Sequence, residues 1–168
     1  GKVLMQSTAE AEKVAGVEAL DPRNAYIMHQ MLHGVATSGT AARATASLKR
    51  TDIAGKTGTS NDSRDSWFAG FSQDLLAVVW MGRDDNGKTP LTGATGALQV
   101  WTGFMRKADP LPLDMPLPDN VIMAWIDPRT GEGSDASCPQ ARQMPYIRGS
   151  EPAPGSACGA PAPAAEVM

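Results

Sequence analysis

The first clear periodic pattern of apolar residues starts just after Asp21-Pro22. An Asp side chain can cap the first N–H groups of a helix, and Pro is favoured at the first helical position. Apolar residues then recur at helical spacing as far as Ser38-Gly39. These positions are Ala25, Met28, Met31, Leu32, Val35 and Ala36. The pattern predicts an amphipathic helix with one buried face, followed by an Ala-rich helical segment over residues 40–48.

Three strand-like runs follow at Ile53–Thr59, Ser66–Phe71 and Leu75–Met81. The short connection between the last two runs is suited to an antiparallel hairpin. Because Leu75–Met81 is apolar at every position, we expect a central strand that helices cover on both faces. Near the start of the chain, Lys2–Met5 predicts a strand that is entered partway along.

A further helix is predicted from Gly93 to Lys107, with Arg106 and Lys107 in the last turn, where their charges suit the helix dipole. The prolines that follow predict an extended linker over residues 109–120. Val121–Ile126 predicts one more strand. These elements predict an α+β fold in which helices cover an antiparallel sheet.

The change in composition near residue 109 divides the chain into three predicted parts. Residues 1–108 form the main body, residues 109–120 form the linker, and residues 121–168 form a small carboxy-terminal appendage of strands and loops. The Pro- and Ala-rich end, residues 160–168, is predicted to be disordered.

The composition is that of a globular protein, with 42% apolar and 20% charged residues in 168. A formal net charge of −3 and scattered basic residues exclude nucleic acid as an expected partner. No apolar run approaches the roughly 18 residues that span a bilayer, so no membrane segment is expected in this chain. Since the chain starts with Gly1 and lacks a signal-peptide layout, we expect it to be the carboxy-terminal piece of a longer protein.

The candidate chemistry lies in the segment Lys56-Thr57-Gly58-Thr59. A strand edge exposes backbone groups to which an extended peptide can add, and Gly58 removes a side chain that would hold that peptide away. Thr57 and Thr59 project from one face, where their hydroxyls suit the carboxylate end of a peptide. Lys56 supplies a positive charge from the other face, and the Thr59 N–H can point at a developing oxyanion. The segment therefore indicates acyl transfer on a peptide with a terminal carboxylate.

On this segment the chain resembles the penicillin-binding proteins, which are serine D,D-transpeptidases related to the β-lactamases and have Lys-Thr-Gly as their third motif. The bifunctional class A enzymes are the most similar, and the linker and cysteine-bearing tail resemble the 1B type of that class. Further similar segments are Gly1-Lys2-Val3-Leu4, Met31-Leu32-His33-Gly34-Val35, Gly39-Thr40-Ala41, Asp65-Ser66-Trp67-Phe68-Ala69-Gly70, Val79-Trp80-Met81-Gly82-Arg83-Asp84 and Gly93-Ala94-Thr95-Gly96-Ala97.

The resemblance implies the carboxy-terminal half of a transpeptidase fold and a reaction on peptidoglycan. A serine attacks the D-Ala-D-Ala bond of a stem peptide, D-Ala leaves, and an amine of a neighbouring stem resolves the acyl-enzyme. β-Lactams acylate the same serine. Lys56 and Thr59 would act in catalysis, and Thr57, Gly58 and Thr59 would bind substrate. No cofactor and no metal are implied.

The resemblance also implies a cellular location and a second activity for the parent protein. The parent protein would lie at the periplasmic face of the bacterial inner membrane, anchored by a segment outside this chain. It would carry a peptidoglycan glycosyltransferase as well, and periplasmic regulators are possible partners.

The chain departs from the family because it contains no Ser-x-x-Lys and no Ser-x-Asn sequence; Ser47-Leu48-Lys49 has the wrong spacing. We therefore expect this chain alone to be inert. Either the remainder of the transpeptidase domain supplies the nucleophile, or the chain is a degenerate relative. A β-lactamase-type serine hydrolase and a non-catalytic interaction module that uses the tail are the alternative functions.

The only two cysteines, Cys138 and Cys158, lie in the appendage. A disulfide that closes a loop of this length contributes roughly 3 kcal/mol, which matters most where the apolar core is small. The cysteines therefore indicate a disulfide and an oxidising compartment, with two unpaired thiols as the alternative. No histidine lies near enough in sequence to suggest a zinc site.

Three other sequence features could be interpreted as functional sites. Residues 82–89 match the phosphate-loop pattern, but Asp84 and Asp85 would set negative charge against a phosphate, so we expect a solvated loop. His29 and His33 have a spacing that can bind metal, yet no third ligand accompanies them, which favours ordinary helix residues. Asp65 and Arg83 are expected to form a structural ion pair across the hairpin, with a catalytic role as the alternative.

Overall fold

The computed structural model describes residues 18–155 and residue 158. Helices and two antiparallel sheets form in these residues, which confirms the predicted α+β fold. The helices are α1 (Pro22–Ser38), α2 (Ala42–Leu48) and α3 (Ala97–Ala108), and the strands are β1 (Ala54–Thr59), β2 (Ser66–Phe71), β3 (Leu76–Met81), β4 (Val121–Ile126) and β5 (Arg142–Ile147). No helix in this part of the chain is long and apolar enough to cross a membrane. The strand predicted at residues 2–5 and the disorder predicted for residues 160–168 lie outside the described residues.

Helix α1 begins and ends where its sequence signals lie. The Asp21 carboxylate accepts a hydrogen bond from the Arg23 N–H at 2.9 Å, and Pro22 takes the first turn, where its missing N–H is not needed. The Arg23 guanidinium binds the same carboxylate and lowers the pKa of Asp21 to about 2. At the other end the Gly39 N–H donates to the Val35 carbonyl, and the chain turns into α2.

Strands β1, β2 and β3 form the larger sheet in that order, with antiparallel pairing. The prediction that Leu75–Met81 is a central strand covered on both faces is wrong. Among the described residues β3 pairs only with β2, and α3 packs on one of its faces. The side chains of β3 on the other face are about half exposed or more: Leu76, Val78 and Trp80. An apolar composition therefore shows that a strand face is suited to burial. It does not show that this part of the chain supplies the residues that bury it.

The core lies between the covered face of this sheet and the helices. Phe68 and Trp101 are fully buried, with ring centroids 4.9 Å apart in an edge-on arrangement. Gly70 makes room for both rings, because a Cβ at this position would lie 2.5 Å from Phe68 and 2.8 Å from Trp101. Burial of one such side chain contributes roughly 1.5–3 kcal/mol. The other large side chains of this core are Ile53, Leu98 and Met105.

Residues 109–120 contain no helix or strand and run back over the main body. The Arg50 guanidinium donates to the Pro110 carbonyl at 3.0 Å, and the Leu111 N–H donates to the Asp74 carboxylate at 2.9 Å. These bonds hold the start of the segment against the body. The division of the chain into three domains stays a prediction.

The appendage contains a second sheet in which β4 and β5 pair antiparallel. The sequence predicted β4 but not β5. Polar residues and Pro145, which removes a backbone donor, hide the strand pattern of β5, although Pro145 pairs with Met123 in the ladder. A disulfide joins Cys138 to Cys158 in the structure. Paired strands and a covalent link thus order a region with few apolar residues.

Candidate active site

Strand β1 places Lys56-Thr57-Gly58-Thr59 at an edge of the larger sheet, since β1 pairs only with β2 within the described residues. Thr57 lies opposite the buried Phe68, so Thr57 and Thr59 share the helix-covered face. Lys56 and Gly58 share the other face. The strand thus separates its two hydroxyl side chains from its positive charge. Between them lies a backbone edge with no partner strand in the described part of the chain.

The Thr57 hydroxyl has a partner that the sequence pattern did not assign to the site. Its Oγ1 atom lies 2.8 Å from Oγ1 of Thr40, in the turn between α1 and α2. Gly39 allows this turn, because a Cβ there would lie 2.9 Å from the Cα of Val35. One hydroxyl of the pair donates to the other, which leaves the second hydroxyl proton free to donate to an incoming oxygen. Thr40 therefore joins the candidate site.

The Thr59 hydroxyl is held by the loop that precedes α3. Its Oγ1 atom accepts a hydrogen bond from the Gly93 N–H at 2.9 Å. A Cβ on Gly93 would lie 2.6 Å from the Gly58 carbonyl oxygen and 2.7 Å from that of Trp67, so only glycine fits against these two strands. Gly93 is thus a positioning residue for the end of β1.

Ser66 completes the attachment of this loop. Its buried hydroxyl donates to the Thr92 carbonyl and accepts from the Ala97 N–H, both at 2.8 Å, at the first turn of α3. A Cβ on Gly96 would lie 2.7 Å from the same hydroxyl oxygen. The two glycines in Gly93-Ala94-Thr95-Gly96-Ala97 are the sequence signal for this close approach.

Lys56 lies at the border of an apolar surface. Its ammonium group is exposed and donates to the Thr57 carbonyl at 2.8 Å. On the same side of the sheet, Trp67 and Trp80 pair across β2 and β3 with ring centroids 6.1 Å apart. We call the partly exposed side chains of this side the exposed sheet face; they are Trp67, Leu76, Val78 and Trp80.

The predicted ion pair between Asp65 and Arg83 is wrong. The Asp65 carboxylate accepts a hydrogen bond from the Trp80 indole N–H at 2.9 Å. Arg83 pairs instead with Asp85 at 2.6 Å, because the turn after β3 brings a carboxylate only two residues away against the guanidinium. This pairing, together with the Gly87 N–H, lowers the pKa of Asp85 to about 2.

The rival motif at residues 82–89 does not have the geometry of a phosphate cradle. The Gly87 N–H, which a phosphate would need, donates to the Asp85 carboxylate at 3.0 Å. The Lys88 ammonium pairs with Asp62 at 3.1 Å, and the next helix, α3, begins only at Ala97. These contacts support the expected solvated loop.

The two histidines of α1 have separate local contacts. The Thr51 carbonyl can only accept, so His33 Nε2, at 2.7 Å, is the donor. The His29 ring packs on Phe71 with centroids 5.2 Å apart. Among the described residues there is no group of three or more His, Cys, Asp or Glu side chains that could hold a metal ion.

Comparison with known proteins identifies relatives over most of the chain. Penicillin-binding protein 1A of Pseudomonas aeruginosa is 37% identical over 96% of the chain, and penicillin-binding protein 1B of Vibrio cholerae is 33% identical over 86%. The crystal structure of penicillin-binding protein 1A from Haemophilus influenzae superposes on 74% of the chain with a TM-score of 0.65 and 32% identity. The chain is a homologue of the class A penicillin-binding proteins. No family model matches it.

The homology to class A penicillin-binding proteins confirms the family and the fold that the Lys-Thr-Gly segment suggested. The chain spans only about a fifth of the length of these relatives: 21% of the Pseudomonas protein, 18% of the Vibrio protein and 20% of the Haemophilus chain. Both the 1A and the 1B types are among the relatives, so the resemblance to the 1B type is not exclusive.

Proposed function

We propose that this chain is one wall of the active-site cleft of a peptidoglycan D,D-transpeptidase. The observation that carries the proposal is the edge of β1 that has no partner strand within the described residues, with the hydroxyls of Thr57 and Thr59 on one face and the Lys56 ammonium on the other. An extended peptide can add to such an edge through backbone hydrogen bonds. The two faces then offer hydroxyl donors and a positive charge to a carboxylate at its end.

Each residue of the segment has a proposed role. Thr57 and Thr59 donate hydrogen bonds to the terminal carboxylate of a stem peptide, and Thr40 orients the first of these hydroxyls through its 2.8 Å contact. The Thr59 N–H stabilises the oxyanion that forms when the peptide carbonyl is attacked, a contribution of roughly 2.7–4 kcal/mol in acyl transfer. Lys56 supplies positive charge and takes part in proton transfer from the nucleophile.

The reaction forms and breaks two bonds in turn. A serine oxygen bonds to the carbonyl carbon of the penultimate D-Ala, and the terminal D-Ala leaves as an amine that takes the serine proton. An amine of a second stem peptide then attacks the ester, forms the cross-link and returns the proton to the serine. A β-lactam acylates the same serine. Water in place of the second amine gives a carboxypeptidase.

The nucleophile comes from residues outside this chain, because Ser-x-x-Lys and Ser-x-Asn are absent from it. The exposed sheet face is the surface on which the remainder of the transpeptidase domain would pack, since Lys56 lies at its border. Its two tryptophans and two aliphatic side chains are the kind of surface that soluble proteins normally cover. The chain alone is therefore inert.

The parent protein is proposed to be bifunctional, with a peptidoglycan glycosyltransferase in addition to this activity. Its proposed location is the periplasmic face of the bacterial inner membrane, with the anchor outside this chain. Stem peptides and β-lactams are its ligands, and periplasmic regulators are further candidate partners. The Cys138–Cys158 disulfide suits an oxidising compartment.

Covalent labelling with a fluorescent penicillin tests the proposal. The full-length protein that contains this chain should be labelled, and Lys56→Ala should lose most of the label. Lys56 is exposed, so this change should leave the fold intact, as circular dichroism can verify. Lys107→Ala, which removes an exposed lysine from the last turn of α3, should label like the unchanged protein. A full-length protein that is never labelled would contradict the proposal.

A further inference from the structure

A groove of about 470 Å³ separates the main body from the appendage. The second half of α1 forms one side and the start of β5 forms the other. The polar side chains that line it include His33, Thr37, Ser38, Arg142 and Gln143. Helix α1 packs against β1 as well as β5, so the groove adjoins the element that carries the candidate site.

Residues that line the groove lie next to the candidate site in the sequence. Thr37 and Ser38 form the last turn of α1, and Thr40, two residues farther on, contacts the Thr57 hydroxyl. The hydroxyls of Thr37 and Ser38 donate to carbonyls of their own helix, so each oxygen can still accept a hydrogen bond from an N–H group of a ligand. The lining of the groove therefore ends two residues before the residue that contacts the Thr57 hydroxyl.

The charge of the groove distinguishes it from two other cavities in the described residues. Its lining contains Arg142 and no acidic residue. A cavity of about 490 Å³ in the appendage is lined by Asp135 and Glu151, and one of about 430 Å³ beside the start of α1 is lined by Asp114. No acidic side chain of residues 18–155 forms an ion pair with Arg142. The guanidinium is thus available to an anionic ligand.

We propose that this groove, which we call the α1–β5 groove, binds a carboxylate-bearing part of a stem peptide and that Arg142 pairs with the carboxylate. The inference rests on the proposed transpeptidase function and extends it to substrate choice. A guanidinium binds a carboxylate through two parallel hydrogen bonds, which gives both charge and direction. The appendage then selects stem peptides by their internal carboxylates, while the Thr57 and Thr59 hydroxyls hold the terminal one.

The test compares two synthetic stem peptides that end in D-Ala-D-Ala, one with its internal carboxylates ionised and one with them amidated. The full-length protein is assayed for release of D-Ala, with the acylation rate by fluorescent penicillin as an independent readout. Arg142→Glu should raise KM for the carboxylate peptide by about fivefold and leave KM for the amidated peptide unchanged. Arg142→Lys should restore most of the difference. The matched control is Arg148→Glu, an exposed arginine next to β5 that does not line the groove.

Each outcome separates this inference from the proposed function. A KM effect confined to the carboxylate peptide, with the penicillin acylation rate unchanged, supports the inference. Equal effects on both peptides, or no effect on either, overturn it while the proposed function stands. If the unchanged protein neither releases D-Ala nor takes up penicillin, the proposed function fails and the inference fails with it.

Discussion

The Thr59 hydroxyl accepts a hydrogen bond from the Gly93 N–H, which ties the end of β1 to the loop before α3. A hydroxyl oxygen can accept one hydrogen bond and still donate its own proton elsewhere. Thr59 therefore supports the fold on one side while its proton remains available to a substrate. The geometry of the candidate site depends on this loop.

Replacement of the Thr59 side chain separates its two tasks. Thr59→Val removes the acceptor and leaves the Gly93 N–H unsatisfied in a partly buried place, which should lower the free energy of unfolding by about 1–3 kcal/mol. Thr59→Ser keeps the oxygen and should cost much less. Urea denaturation of the two variants measures the difference, and equal stability of the two would contradict the structural role of this bond.

The close approach of Gly93 to the sheet gives a second prediction. Gly93→Ala would place a Cβ against backbone atoms of Gly58 and Trp67 that cannot move aside cheaply, so the free energy of unfolding should fall by about 1–3 kcal/mol or more. The control is Gly103→Ala in the interior of α3, where no atom lies within 4 Å of the new Cβ. That change should stabilise the protein by roughly 0.5–1 kcal/mol. Similar effects at both positions would contradict the packing described for Gly93.

Because of Asp127, the appendage should lose stability as the pH falls into the acid range. Its buried carboxylate accepts hydrogen bonds from the Arg129 guanidinium at 2.8 Å and the Arg129 N–H at 2.9 Å, which lower its pKa from 3.8 to about 2. A lowered pKa in the folded state contributes stability that is complete above about pH 4 and is lost as the pH falls towards 2.

Native-state hydrogen exchange of the β4 amides between pH 2 and 6 measures this effect. Asp127→Asn should lower the protection of these amides from exchange near pH 6. It should also remove the part of their pH dependence that the Asp127 carboxylate causes. The prediction fails if the variant loses protection over the same pH range and by the same amount as the unchanged chain.

The disulfide gives a prediction for the appendage as a whole. Mass spectrometry without reductant should find Cys138 linked to Cys158 in protein recovered from an oxidising compartment. Reduction should lower the free energy of unfolding of the appendage by roughly 3 kcal/mol, as expected for a loop of this length. Recovery of two free thiols from such a compartment would contradict the predicted Cys138–Cys158 link. An unchanged free energy of unfolding after reduction would contradict its predicted contribution to stability.

The elements that the sequence predicted well carry their own local signals. Asp21-Pro22 and Ser38-Gly39 bound α1 through capping and conformational preference, which depend only on neighbouring residues. The glycine and hydroxyls of the Lys-Thr-Gly segment indicate a sheet edge that a peptide can join, and β1 lies at such an edge within the described residues. β5 was missed because Pro145 and its polar neighbours suppress the alternation that predicts a strand.

The contacts that the sequence did not predict join residues far apart in the chain. Thr40 reaches Thr57 across 17 residues, and Gly93 reaches Thr59 across 34. A single sequence does not show which residues of two distant segments lie opposite each other. Only the folded structure therefore reveals these partners. The Asp65–Arg83 prediction failed for the related reason that a carboxylate two residues away, Asp85, competes without any cost of loop closure.

The exposed sheet face lies beside the outer edge of β3, which has no partner strand among the described residues. An unpaired strand with apolar side chains is a template for addition of an identical strand from another molecule. Polypeptides of this sequence, produced by themselves, are thus prone to join edge to edge into oligomers and aggregates. This exposed apolar edge therefore sets the limit on the solubility of the chain when it is handled in isolation.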